Sequence, residues 1–328
     1  MASRARRRVV LAAAAVVLLP LDARAQFAKT RRIGILMPST APGTADLVDA
    51  FEQGLKERGY QPGHNIALEY RYSEGRMERV PALASELVAA GAEVIMSPTD
   101  EVVRLIKQRV PAIPIVMVNS GDPVRSGLVE SLARPGGNVT GISNLSPEIT
   151  AKRLELLKEA IPGLVRVAYL WNPRLPGAEE VYGELESAAR LLRLELRSAP
   201  APRAEDIAAA FAALSGGPTA AVIVQAPNPV LYTARKRIAE LAREKRLASM
   251  FNRWEYVAAG GLISYGPNVR EMYRRAAYYV DEILKGARPA AMPVEQPTQF
   301  ELAINPQTAT ELGIAIPRSL LLRADKTL

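Results

Sequence analysis

The stretch "VNSGDPVRSGLVESLARPGGNVTGISN", Val118 to Asn144, decides how the chain is organised. It follows the apolar run Pro114, Ile115, Val116, Met117, so Asp122 falls in a loop just past a strand end. The proline, paired glycines and asparagine of Arg134–Gly141 form a turn at which the chain can pass from one lobe to another, and a hinge is expected there. Asp122 has three possible uses: catalysis, ligand binding, or capping of the turn that follows.

Upstream, short β-rich runs alternate with amphipathic stretches. Ile33–Met37, Ile66–Tyr72, Glu93–Met96 and Ile115–Val118 read as strands; Thr44–Arg58, Met77–Ala89 and a segment after Thr99 read as helices. Repeated β-α units predict a parallel sheet covered on both faces. The alternation restarts downstream. Helices are expected over Thr150–Ala160, Ala178–Leu192, Glu205–Leu214 and Leu231–Arg243, with strands at Val165–Leu170, Leu194–Arg197, Ala220–Val224, near Ser249 and within Gly261–Tyr265. About 300 residues exceed what one hydrophobic core usually supports, so two lobes are expected. If the helix Val269–Leu284 returns to the first lobe, Phe300–Ile304 must cross again, and several strands between lobes would restrict motion to opening and closing.

The first 25 residues read as a cleaved secretory leader: Arg4, Arg6, Arg7 and Arg8, then the apolar run Val9–Leu21, then Ala23-Arg24-Ala25. The run falls short of the ~20 apolar residues a membrane span needs. Both the general and the twin-arginine export routes fit. The leader takes five arginines and one acid with it, so a formal charge of +8 becomes +4, too mild to indicate nucleic acid as a partner. With no cysteine there is no disulfide and no lipid attachment, and a freely soluble periplasmic protein is expected.

Enzyme signatures are missing. The only histidine, His64, sits in the turn "QPGHN", which leaves no histidine-bearing metal cluster or conventional Ser-His-Asp triad elsewhere. Gly136–Gly141 has phosphate-loop spacing but runs into Ile142-Ser143 instead of a lysine and a hydroxyl residue, and no G-x-G-x-x-G follows a strand. No catalytic residue, metal or cofactor is expected.

In open α/β sheets, ligands lie beyond the carboxyl ends of the strands. The residues there are Ser39 and Thr40, Thr99 and Asp100, Gly121 and Asp122, then Asn172, Gln225, Asn252 and Trp254; Asn144 and Tyr265, in the crossing segments, complete the expected site. Each loop precedes a helix whose free N–H groups could hold a carboxylate, Ser39, Thr40 and Thr99 could add hydroxyls, and Asp122 would suit an ammonium group. Helix capping is the competing reading for Ser39, Thr99 and Asp122, and core packing for Trp171 and Trp254.

Five segments resemble one family: "GLKERGYQPGHNIALEYRYSEG", "PIVMVNSGDPVRSGLVESLARPGGNVTGIS", "KRLELLKEAIP", "AAGGLISYGPN" and "PVEQPTQFELAINPQTATELGI". In this order they resemble ABC-transporter substrate-binding proteins of the tryptophan/tyrosine-binding type across the whole mature chain. The resemblance implies a type I periplasmic-binding fold: an α/β architecture of two Rossmann-like lobes with parallel sheets joined by a three-strand hinge. The lobes would be 31–141 plus 266–297 and 142–265 plus 298–328. It also implies a monomer that clamps a small-molecule solute, an aromatic or other amino acid among the candidates, and delivers it to an inner-membrane permease driven by a cytoplasmic ATPase. Its cleft loops correspond to Ser39 and Thr40, Thr99 and Asp100, and Gly121–Pro123. Where the family often carries arginine, this chain has Trp254, which removes a charge near the cleft. Two rival readings are an exported α/β hydrolase and a solute sensor for a membrane kinase.

Overall fold

The computed structural model describes residues 30–144, 146–175, 177–214 and 220–328; the leader expected at 1–25 lies outside them. The chain begins β1 (Arg31–Met37), α1 (Ala41–Lys56), β2 (Ile66–Tyr72), α2 (Val80–Ala89), β3 (Val94–Pro98), α3 (Asp100–Arg109), β4 (Ile115–Ser120), β5 (Val139–Ser143). These strands form a parallel sheet in the order β2-β1-β3-β4-β5. Period-two alternation sends Ile33, Ile35 and Met37 to one core and Leu36 to the other, and Ile95, Ile115 and Met117 join Leu36. Because both faces are buried, the strands read as continuous apolar runs.

The second series is α4 (Ser146–Ala160), β6 (Arg166–Trp171), α5 (Ala178–Leu191), β7 (Glu195–Pro200), α6 (Asp206–Ala212), β8 (Ala220–Val224), α7 (Pro229–Thr233), α8 (Arg235–Glu244), β9 (Ala248–Phe251), α9 (Trp254–Ala258) and β10 (Ile263–Pro267). After α10 (Val269–Leu284) come β11 (Phe300–Ile304), α11 (Pro306–Leu312), α12 (Arg318–Leu321) and β12 (Lys326–Thr327). The second sheet runs β12-β11-β10-β9-β8-β6-β7.

Proline chemistry moves two helix starts. Thr40 accepts the Gly43 N–H at 3.2 Å as N-cap, so α1 begins at Ala41 with Pro42 in its first turn, earlier than the apolar spacing suggests. Pro81 likewise sits in the first turn of α2, and Met77–Arg79 form a separate 3-10 turn. The helix expected over 231–243 is divided at Ala234 into α7 and α8.

The passage between lobes also differs from the expected hinge. Val139–Ser143 is a strand of the first sheet, so "RPGGNVTG" does not itself cross; the chain leaves at Asn144, whose N–H donates to Ser120 O at 2.7 Å. Gly141 lies inside β5, with φ +135° and an implied Cβ only 2.0 Å from the Met117 carbonyl oxygen. Glycine at 141 therefore serves a close strand approach beside the β4–β5 register shift, not a flexible linker. The chain returns after β10, and α10 packs Met272, Tyr273 and Val280 into the core shared by Leu47 and Phe51 of α1. The third passage is 295–299, where Glu295 exchanges backbone hydrogen bonds with Gly141 and Ser143. The second sheet is not wholly parallel, because β11 pairs antiparallel to β10. Re-entry from the first lobe makes β11 run away from the crossing that β10 runs toward.

Candidate functional site

Two connected chambers lie between the lobes. The first encloses about 480 Å³ including its mouth, with Ser39, Thr99, Asn119 and Tyr273 on one side and Tyr232, Asn252, Arg253 and Tyr256 on the other. The second, about 670 Å³, has Asp100, Glu101, Asp122 and Arg125 facing Tyr169, Val181 and Gln225. Thr99, Pro227 and Pro229 border both.

Thr99 has φ +65° and ψ 148°, a region that a β-branched residue adopts only under strain of about 1–3 kcal/mol. It is 6% exposed, makes no cap bond to α3, and its hydroxyl has no hydrogen-bond partner among the described residues. Capping therefore does not explain Thr99.

Thr40, by contrast, is spent as the α1 cap and borders neither chamber. Ser39 accepts from the Thr233 hydroxyl of the opposite lobe at 3.3 Å.

In the first chamber, Tyr232, Tyr256 and Tyr273 make an aromatic wall. Arg253 stands 4.2 Å from the Tyr232 ring centre and is paired with Glu255 through two hydrogen bonds. Burial opposes its charge, but Glu255 outweighs that penalty and holds the guanidinium above its ordinary pKa. Arg253 thus brings a cation to the wall of the first chamber. Trp254 is 38% exposed, carries Lys326 5.0 Å above its ring, and lines a smaller crevice with Arg270 and Glu301. Trp171 is buried in the second-lobe core, stacked on Tyr182.

The second chamber holds three carboxylates. Asp100 accepts from the Ser120 hydroxyl and from the Gly121 and Asp122 N–H groups at 3.2 and 3.1 Å, tying the loops after β3 and β4 together. Desolvation nonetheless pushes its carboxyl above the usual range. Asp122 accepts the Val124 and Arg125 N–H groups at 3.2 and 2.9 Å and lies 3.3 Å from Arg125 Nε. The other end of Arg125 reaches Glu184 of α5 at 2.9 Å, so Asp122, Arg125 and Glu184 bridge the lobes. Glu101 has no hydrogen bond or ion pair with any described residue.

Other expected residues stand behind the chambers. Gln225 Oε1 accepts from Asn172 N–H and the Asn228 amide at 2.8 and 2.9 Å, and Asn228 caps α7. Gln225 reaches the second chamber, whereas Asn172 reaches neither. Asn144 donates to Asn119 Oδ1 at 2.6 Å and so orients a chamber residue without lining the chamber. The Tyr265 ring stacks on Phe300, and its carbonyl accepts from Arg153 at 2.6 Å; it too is outside both chambers. The strand-end rule reaches Asn119, just past Ile115–Val118, but it did not signal Tyr232, Arg253, Tyr256 and Tyr273. For Arg253 a signal existed, since it directly follows Asn252 at the end of β9.

No trio of His, Cys, Asp or Glu able to hold a metal occurs among the described residues, and none of their helices is long and apolar enough to cross a membrane. The family model for ABC transporter substrate binding proteins matches residues 32–328. The chain belongs to that family. As an ABC transporter substrate binding protein it is a binder of solutes and not an enzyme. A tyrosine-binding protein of Clostridioides difficile (strain R20291) is 24% identical over 287 residues, spanning 87% of this chain and 82% of that protein. A conserved domain protein of Vibrio cholerae is 27% identical, with TM-score 0.84 over 92% of this chain and all (100%) of that one. An ABC domain of Streptococcus pneumoniae in complex with L-Trp is 24% identical, with TM-score 0.83 over 91% of this chain and 100% of that one. These likenesses agree with the type I periplasmic-binding architecture of two lobes.

Proposed function

We propose that this substrate-binding protein is the periplasmic component of an ABC importer, exported by a cleaved leader, that closes on an aromatic or other amino acid and hands it to an inner-membrane permease with its cytoplasmic ATPase. The observation that carries the reading is Thr99: a strained backbone holds an unpartnered hydroxyl where the two chambers meet. The solute's polar head occupies the second chamber, beside Thr99, Asp100, Gly121, Asp122 and Gln225. Its side chain passes Pro227 into the first chamber, against Tyr232 and Tyr256, with Ser39 and Asn252 at the wall. An apolar pocket with a few polar groups suits such a ligand. The protein acts as a monomer, and the bodies that move are the lobe of the first sheet, β1 through β5 with α10, and the lobe of the second sheet, β6 through β12. Closure is favoured to the extent that the solute binds the closed form better than the open one.

A thermal-shift series over the twenty α-amino acids and small carboxylates tests this. At least one amino acid should raise Tm, as a ligand binding only the folded state must, and should be recovered unmodified. Asp122→Ala should reduce that shift, because it removes a carboxylate from the head chamber and loosens Arg125. A solute converted to product would support the hydrolase reading instead.

A further inference from the structure

Resting on the amino-acid reading above, we propose that Glu101 is the residue that selects a solute bearing an ammonium group, a role the sequence suggests for Asp122. The inference follows from what each carboxylate of the second chamber already does. Asp100 is engaged by a hydroxyl and two backbone N–H groups, and Asp122 by two backbone N–H groups and the Arg125 side chain. Arg125 is itself shared with Glu184. Glu101 borders the same chamber with both oxygens unclaimed by any described residue.

Glu101 is half-buried in the first turn of α3. Burial raises the Glu101 carboxyl above its ordinary pKa, and Arg104 offsets this only at a distance. The opposite wall sets Leu175, Ala178 and Val181 beside Tyr169 and Gln225, and no hydrogen bond joins either polar side chain to Glu101. Closing the lobes over an uncompensated carboxylate costs free energy, and an ammonium group delivered by the solute removes that cost. Glu101 thereby couples recognition of the amine to closure. The second, independent sign of a ligand here is Thr99, more than nine-tenths buried, bordering the same chamber with an unpartnered hydroxyl suited to the adjacent carboxylate of an α-amino acid.

Glu101→Gln keeps the side-chain volume and removes the charge. Calorimetric titration should compare each amino acid that binds, beginning with L-tryptophan and L-tyrosine, with its des-amino acid, indole-3-propionate or 3-(4-hydroxyphenyl)propionate. Wild type should prefer the amino acid by about tenfold or more, the equivalent of ~1.4 kcal/mol. Glu101→Gln should erase most of that preference while its solute-free Tm stays level or rises. Equal preference in wild type and Glu101→Gln overturns the assignment, as does a fall in solute-free Tm with preference retained, which marks a structural role. Failure of the wild type to bind any α-amino acid overturns both the assignment and the amino-acid reading.

Discussion

Replacing Arg253 by methionine is expected to lower Tm by roughly 5–10 °C and to weaken binding of an aromatic solute at least several-fold. The Arg253 and Glu255 side chains are 6% and 15% exposed, so this is a buried pair. Removing one member of a buried pair leaves the other charge uncompensated, at a cost of about 3–5 kcal/mol. At ~2.1 cal/mol/K of unfolding entropy per residue, the Tm of a chain of this size moves by roughly 1.5–2 °C for each kcal/mol. The guanidinium also holds Tyr232, which has Arg235 4.6 Å from its ring centre as well, so the aromatic wall of the first chamber loses a support. The double variant Arg253→Met/Glu255→Met separates the two effects: an apolar pair should recover most of the stability but not the affinity. Thermal unfolding and titration calorimetry on both variants check this, and an unchanged Tm in the single variant would contradict the buried-pair account.

Gly54→Ala should destabilise the first lobe by about 3 kcal/mol, at the upper end of the usual cost of overpacking. An implied Cβ at Gly54 lies 2.2 Å from the Arg274 carbonyl oxygen and 2.9 Å from Ala277 Cβ, so α1 and α10 would have to separate. Both helices fill one core, and α10 carries Tyr273 to the first chamber. The same exchange at Gly183 in α5, where a Cβ meets nothing within 4 Å, should stabilise by roughly 0.5–1 kcal/mol through helix propensity alone. Denaturant unfolding of the two variants should move in opposite directions.

The strands were legible because a sheet covered on both faces demands unbroken apolar runs such as Ile33–Met37 and Ala220–Val224. Their carboxyl ends then marked Ser39, Thr99, Asp122, Gln225 and Asn252, all of which border a chamber. Position along the chain could not show which polar atoms were already occupied. Thr40 and Asp122 look alike as loop residues, yet one caps a helix and the other joins a bridge between lobes. Tyr273 was hidden for another reason: it arrives on α10, a helix far along the chain that packs back onto the first lobe. The hinge was misplaced because the "RPGG" turn masks the short strand that follows it, and β5 belongs to the first sheet through Ser143. Trp254 drew attention as an aromatic residue, while the group facing the chamber was its neighbour Arg253.

The central claim is that the lobes close upon a solute, and a distance across the gap tests it most directly. The sequence contains no cysteine, so Gln108→Cys in α3 and Glu186→Cys in α5, both at exposed positions, accept spin labels cleanly. With the amino acid that raises Tm, the inter-label distance should shorten and narrow, and Glu184→Gln, which cuts the bridge from Arg125, should leave more of the long-distance population. A distance distribution identical with and without bound solute would contradict the account.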